Sequence, residues 1–174
     1  MSRGKTNGPD LDVTEAIFAF DGRSAADLKL AAQKVSPADA EALLDLCSSE
    51  DSAHRVAATW IVKALLETSR GAMLDLSAVF ARLGEETAPD AILHLLQSVQ
   101  YAPTQTSTQL SAIEAHLDHK KTLVAVWALD AVVRIALYTG QRMVAARDLV
   151  DAALTHDKAS MRARARHLAP LLGL

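Results

Sequence analysis

TLVAVWALDAVVRIALY, Thr122–Tyr138, is the longest apolar run of the chain, and only Asp130 and Arg134 interrupt it. RVAATWIVKALLETSRG, Arg55–Gly71, lies 67 positions earlier (122 minus 55) and reads as a second copy. In that register Trp60 falls on Trp127, Ala58 on Ala125 and Ala64 on Ala131. Lys63 falls on Asp130, and Glu67 on Arg134. The 122–138 run is too short for a membrane span and carries two charges, so it reads as a helix buried nearly all round. A duplication of this kind identifies architecture. It does not identify a reaction.

The 174 residues suit one domain with a sizeable core. Half of them are hydrophobic but only 4% are aromatic, and Ala and Leu dominate. With few Gly and Pro and no alternating β-branched runs, the expected fold class is all-α. The net charge of −3 argues against a life on a phosphate backbone. The single Cys47 excludes an internal disulfide framework and suits a reducing cytoplasm. Cys47 shares a helix side with Leu43 and Leu44 and is expected to be a small buried filler. Met1–Asp10 has no apolar stretch of the signal-peptide kind and is expected to be a disordered tail.

Helical spacing and caps divide the rest into pairs. Leu11–Phe20 and a helix opened by the capping-box pattern Ser24–Asp27 form an atypical first pair, 11–34, acting as a cap. Ser36-Pro37 starts the next helix, which runs to about Cys47. Ser52 to about Ser69 follows, with Gly71 where a left-handed C-cap is wanted. Further helices are expected over 72–83, 90–100, 107–117, 122–139, 141–154 (with Val144, Leu149, Val150 and Ala153 as its apolar residues) and from about 158 to the end. Second (B) helices therefore begin near 51, 88, 121 and 158, in steps of 37, 33 and 37. Such periods belong to helical repeats.

Acidic turns followed by an Arg and a small-residue run resemble HEAT repeats. The residues are Asp51, then His54-Arg55-Val56-Ala57-Ala58, and Asp157, then Met161-Arg162 and Ala165. The resemblance covers about 36–174. The second pair departs from it with Asp90 or Ile92 where the Arg would fall, and the third with Thr122. It implies a right-handed α-α superhelix of about four to five helix pairs, in which B helices line the concave side. It implies a binding surface more than a chemistry. It also invites comparison of Trp127 and Asp130 with the Trp and carboxylate of DNA-alkylation-repair glycosylases. Their groove is basic, whereas the stripe here mixes Lys63, Glu67, Asp130 and Arg134.

Burying Leu123, Val124, Leu129, Val132, Val133 and Ile135 is worth on the order of 10 kcal/mol before conformational entropy. The i, i+4 pairs Lys63–Glu67 and Asp130–Arg134 add only about 0.2–0.5 kcal/mol each, so they mark a solvated stripe and do not create it. Carried to the second B helix, that stripe gives His94, Gln97 and Tyr101. Trp60, His94 and Trp127 then form a column across three helices, with the two Trp about 20 Å apart. Two readings stand. Either the Trp anchor a protein or peptide in a groove, or they bury into the neighbouring repeat as large core residues.

Other clusters are weaker. His116, Asp118, His119, His156 and Asp157 sit in adjacent turns, where solvated caps explain them better than a metal site. Arg162, Arg164 and Arg166 give the last helix a basic face that could position a nucleic-acid backbone, or else a polar outer face for a terminal repeat. The interleaved Ala offer bases no stacking platform. The apolar end, Leu171-Leu-Gly-Leu174, allows pairing with a second copy. No P-loop, G-x-G-x-x-G, G-x-S-x-G or C-x-x-C motif is present. No cofactor, no catalytic set and no carboxylate pair for acid–base work is expected.

Overall fold

Alternating short and long helices divide the chain in the computed structural model, which describes residues 12–174. Leu11 and the tail expected over Met1–Asp10 lie outside the described residues. Among the described residues there are ten α-helices and no strand. They are α1 (Val13–Phe18), α2 (Ala26–Lys34), α3 (Ala40–Leu46), α4 (Ser52–Glu67), α5 (Leu76–Ala81), α6 (Pro89–Ser98), α7 (Leu110–Glu114), α8 (Thr122–Thr139), α9 (Met143–Leu154) and α10 (Ala159–Leu172). α4, α6, α8 and α10 are the expected B helices, and α2 belongs to the pair that precedes them. Each packs on the next, α2 on α4, α4 on α6, α6 on α8 and α8 on α10. Four odd-numbered helices pack on the even helix that follows them, α1 on α2, α3 on α4, α7 on α8 and α9 on α10.

The B helices start in one way. Their N-caps are Asp51, Ala88, Lys121 and Lys158. In each case the N-cap amide donates to the side chain two residues earlier. The acceptors are Ser49 Oγ at 3.2 Å, Glu86 Oε1 at 2.7 Å, His119 Nδ1 at 3.0 Å and His156 Nδ1 at 3.0 Å. A second recurrence joins α4 and α10. Arg55 and Arg162, each four residues past its N-cap, send Nη1 back to two carbonyls of the preceding turn. For Arg55 these are Ser49 and Glu50, at 2.8 and 3.0 Å. For Arg162 they are His156 and Asp157, at 2.6 and 2.7 Å. Each of these two arginines thus ties the turn to the helix it opens.

α8 has two buried faces. Val124, Ala128, Ala131, Val132 and Ile135 belong to a core shared with α1–α7, whereas Ala125, Val126, Leu129, Val133 and Ala136 belong to one shared with α9 and α10. That division explains why the helix is apolar nearly all round. By length and mean hydropathy it alone among the described helices could cross a bilayer. Here four helices (α6, α7, α9 and α10) pack on it.

Four local expectations are corrected. Leu123 is 49% exposed and Val144 74%, because each lies near the start of its helix, on the side away from the neighbouring layer. Ser24–Asp27 forms no capping box. Ala25 is the N-cap of α2, and the Asp21 carboxylate instead accepts the amides of Arg23 and Ser24. Gly71 is not left-handed; Ser69 takes that conformation, with φ 59°. Gly71 is needed for room, since a Cβ there would stand 2.3 Å from Leu66 Cδ2.

Candidate functional site

The repeating N-caps give a register against which the stripe can be placed. Asp51 and Lys121 are 70 positions apart (121 minus 51), not the 67 that superposes the two Trp. Trp60 is therefore the ninth residue past its cap, while His94 and Trp127 are the sixth past theirs (60 minus 51, 94 minus 88, 127 minus 121). Three residues of helix are about 4.5 Å of rise. His94 and Trp127 are level, and Trp60 is level with Gln97 and Asp130. Positions six, nine and thirteen share one helix face. They hold Ala57, Trp60 and Ala64 on α4, then His94, Gln97 and Tyr101 on α6 and the turn that follows it. On α8 they hold Trp127, Asp130 and Arg134, and on α10 Arg164, His167 and Leu171. Lys63 and Glu67 belong to the adjoining stripe.

Asp130 departs from the solvated position expected for it. It is 1% exposed, held by Arg134 Nε at 2.7 Å and by Arg164 Nη1 of α10 at 3.2 Å. Arg164 also stacks over Trp127, its guanidinium carbon 4.1 Å from the ring centroid. Sequence pairing within α8 could find Arg134 but had no sign of Arg164, 34 positions further on. One carboxylate thus ties α8 to α10, and its enclosure leaves it no access to a substrate. Both arginines remain partly exposed.

On α4 the same face is open. Trp60 is partly exposed and packs against the main core, and Lys63 Nζ lies 6.0 Å from its ring centroid. Lys63 donates to Glu67 at 2.6 Å. Beside Trp60, Lys29, Ala32 and Gln33 of α2 and Ala64, Glu67, Thr68 and Arg70 of α4 and its end enclose a cleft of about 440 Å³. The small Ala32 and Ala64 leave the space. Arg70 ties down the end of α2 by donating to the carbonyls of Ala32, Gln33 and Val35. Sequence reading missed Lys29, Gln33 and Arg70 because nothing in their spacing signals that two helix ends meet.

Between these two features lie His94, Gln97 and Tyr101. His94 Nδ1 is 3.3 Å from Thr59 Oγ1, so α6 is tied to α4. Burial lowers its pKa to about 4, with the positive charge of Lys63 and a smaller contribution from Lys121 acting the same way. It is a neutral packing residue at pH 7. Gln97 is partly buried. Tyr101 is 44% exposed, and its phenol is shifted upward by desolvation and then by the charge of Glu67, with Arg134 opposing. Those charges place the ring between the α4 and α8 ends of the face.

The three candidate nucleic-acid arginines do not converge. Arg162 is held by its turn and Arg164 by Asp130 and Trp127, and Arg166 is exposed. His116 Nε2 sits 3.2 Å from the Leu83 carbonyl, and His119 and His156 cap helices. Among the described residues no group of three or more His, Cys, Asp or Glu is placed to hold a metal ion. Burial pushes the Cys47 thiol up to about 12, so it stays protonated and is a poor nucleophile. Compared with protein-family models, with curated proteins and with solved structures, the chain matches none.

Proposed function

We propose that the chain is a HEAT-like right-handed α-α superhelix of about four to five helix pairs, working in the cytoplasm as a non-catalytic binding scaffold. It recognises a protein or peptide through the B-helix face made by Trp60, Lys63, Glu67, His94, Gln97, Tyr101, Trp127, Asp130 and Arg134. The repeating N-cap and the paired Arg55 and Arg162 support the HEAT-like reading. One observation carries the binding reading: three aromatic side chains, Trp60, Tyr101 and Trp127, keep part of their surface in water on one face, beside an open cleft. Aromatic residues and arginines of this kind dominate protein interfaces.

Within this reading Asp130 and Arg134 support the face from beneath, and Trp60 and Tyr101 make contact. The nucleic-acid alternative has less support, since two of its three arginines are spent inside the chain. Pairing of two copies through Leu171 and Leu174, about half exposed, is a separate proposal that light scattering tests. Lysine cross-linking of captured partners, with mass-spectrometric mapping, tests the main reading. Cross-links should concentrate on Lys29 and Lys63 and fall when Trp60 is replaced by Ala. Cross-links confined to Lys120, Lys121 and Lys158 in the turns, or unchanged by Trp60→Ala, would overturn it.

A further inference from the structure

We propose that the cleft at Trp60 receives the apolar side chain of a peptide segment whose adjacent acidic residue pairs with Lys29, so that this face selects acidic–apolar segments of a protein partner. The proposal rests on the reading of the B-helix face as a peptide-binding surface and names what that surface takes.

Size and lining come first. About 440 Å³ is within the range of ligand sites. The floor is a Trp ring between two alanines, a surface with no directional demand, and it fits a flat ring or branched aliphatic group. The rim supplies the sign. Lys63 and Glu67 neutralise each other at 2.6 Å, and Arg70 spends three N–H donors on the end of α2. The Lys29 side chain is exposed and makes no ion pair or hydrogen bond with the described residues. It is the rim group with a free charge to offer.

Charge along the whole face agrees. Lys29, Lys63, Arg70, Arg134 and Arg164 stand against Glu67 and Asp130, five positive charges to two negative. The chain as a whole carries −3, so this excess of three is local. A segment drawn to it is acidic, and opposite signs across an interface govern both encounter and choice of partner. The cleft also adjoins the rest of the face, because α6 packs on α4 and the turn at its end, Val99–Tyr101, packs on α8. That continuity favours an extended peptide over an isolated small molecule.

The test is a display selection from a random nine-residue peptide library on three full-length chains: wild type, Lys29→Glu and Ala64→Leu. Thermal melts confirm that each variant is folded. Lys29 is exposed, so its reversal leaves folding intact even where Ala64→Leu does not. Wild type should enrich peptides with an aromatic or large aliphatic residue next to Asp or Glu. Lys29→Glu should exchange that acid for Lys or Arg, and Ala64→Leu should weaken the selected peptides at least tenfold in fluorescence anisotropy. Enriched peptides without acidic preference, or a preference unmoved by Lys29→Glu, would overturn the proposal while leaving a peptide-binding face standing. Failure to enrich any peptide would overturn both.

Discussion

Removing charges around Asp130 should give an order of stability that a solvated ion pair cannot produce. The carboxylate is 1% exposed and has two arginine partners, whereas the side chains of Arg134 and Arg164 retain 21% and 23% of their exposure. Asp130→Asn loses charge-assisted hydrogen bonds but lets both guanidinium groups turn to water, at about 2 kcal/mol. Replacing both arginines by Met leaves a buried carboxylate without compensation, at about 3–5 kcal/mol. Replacing all three, with Asp130→Leu added to the two Met, removes the desolvation problem and should recover stability to within about 1 kcal/mol of wild type. Urea midpoints with a common slope measure these differences, and heating should repeat them at roughly 2–4 °C per kcal/mol for a chain of this size. If the double Met variant is no less stable than Asp130→Asn, or the triple variant no better than the double, then Asp130 is not a buried hub. The link between α8 and α10 would then rest on apolar packing alone.

Five other substitutions test three separate parts of the fold. His94 has a folded pKa of about 4 against about 6.5 unfolded. The unfolded chain therefore binds more protons between those values, and stability should fall as pH drops from about 6.5 to about 4, by up to about 3 kcal/mol. His94→Gln should flatten that part of the profile, and an unchanged slope in urea melts would refute the assignment. The Glu86 side chain is 1% exposed, accepts the amides of Thr87 and Ala88, and pairs with Arg55 Nε at 2.9 Å. Glu86→Ala should cost about 4 kcal/mol, while Arg162→Ala, which removes the counterpart of Arg55 but breaks bonds to carbonyls only, should cost about 1 kcal/mol. Gly71→Ala should cost about 1–3 kcal/mol through the Leu66 clash, against about 1 kcal/mol for Gly140→Ala, where only the left-handed backbone objects. Calorimetric or chemical melts of each pair decide these.

The steps of 37, 33 and 37 were legible because each B helix follows a short polar turn. Their common mechanism was not. Ser49 and Glu86 share no identity with each other or with the histidines at 119 and 156, only an acceptor atom at the same offset from a backbone amide. An alignment that looks for like residues passes over them and settles on the two Trp. That choice placed Trp60 one turn too far toward the start of its helix. The i, i+4 rule found Arg134 for Asp130, yet the burial of that carboxylate depends on an arginine of the following repeat. Leu123 and Val144 show the same limit in reverse. Both fit an apolar run, but a run does not say which side of a helix start faces the next layer.

The corrected register also accounts for where the cleft is. Positions six and thirteen flank position nine on each B helix. On α4 they are Ala57, which is buried, and Ala64, which lines the open space beside Trp60. On α6 they are His94 and Tyr101, and on α8 they are Trp127 and Arg134, with Arg164 of α10 laid over the Trp ring. Side chains of that bulk fill the equivalent space, and the one at position nine, Asp130, is buried as a result. The same helix face is therefore a cleft at one end and a closed ionic lock at the other. Residue volume at position thirteen, Ala64 against Arg134, is one source of the difference. A larger side chain at 64 should close the cleft with α4 intact. Shortening Arg134 would not open a second one, because the space it left would expose an unpaired side of Asp130 to water rather than an apolar floor.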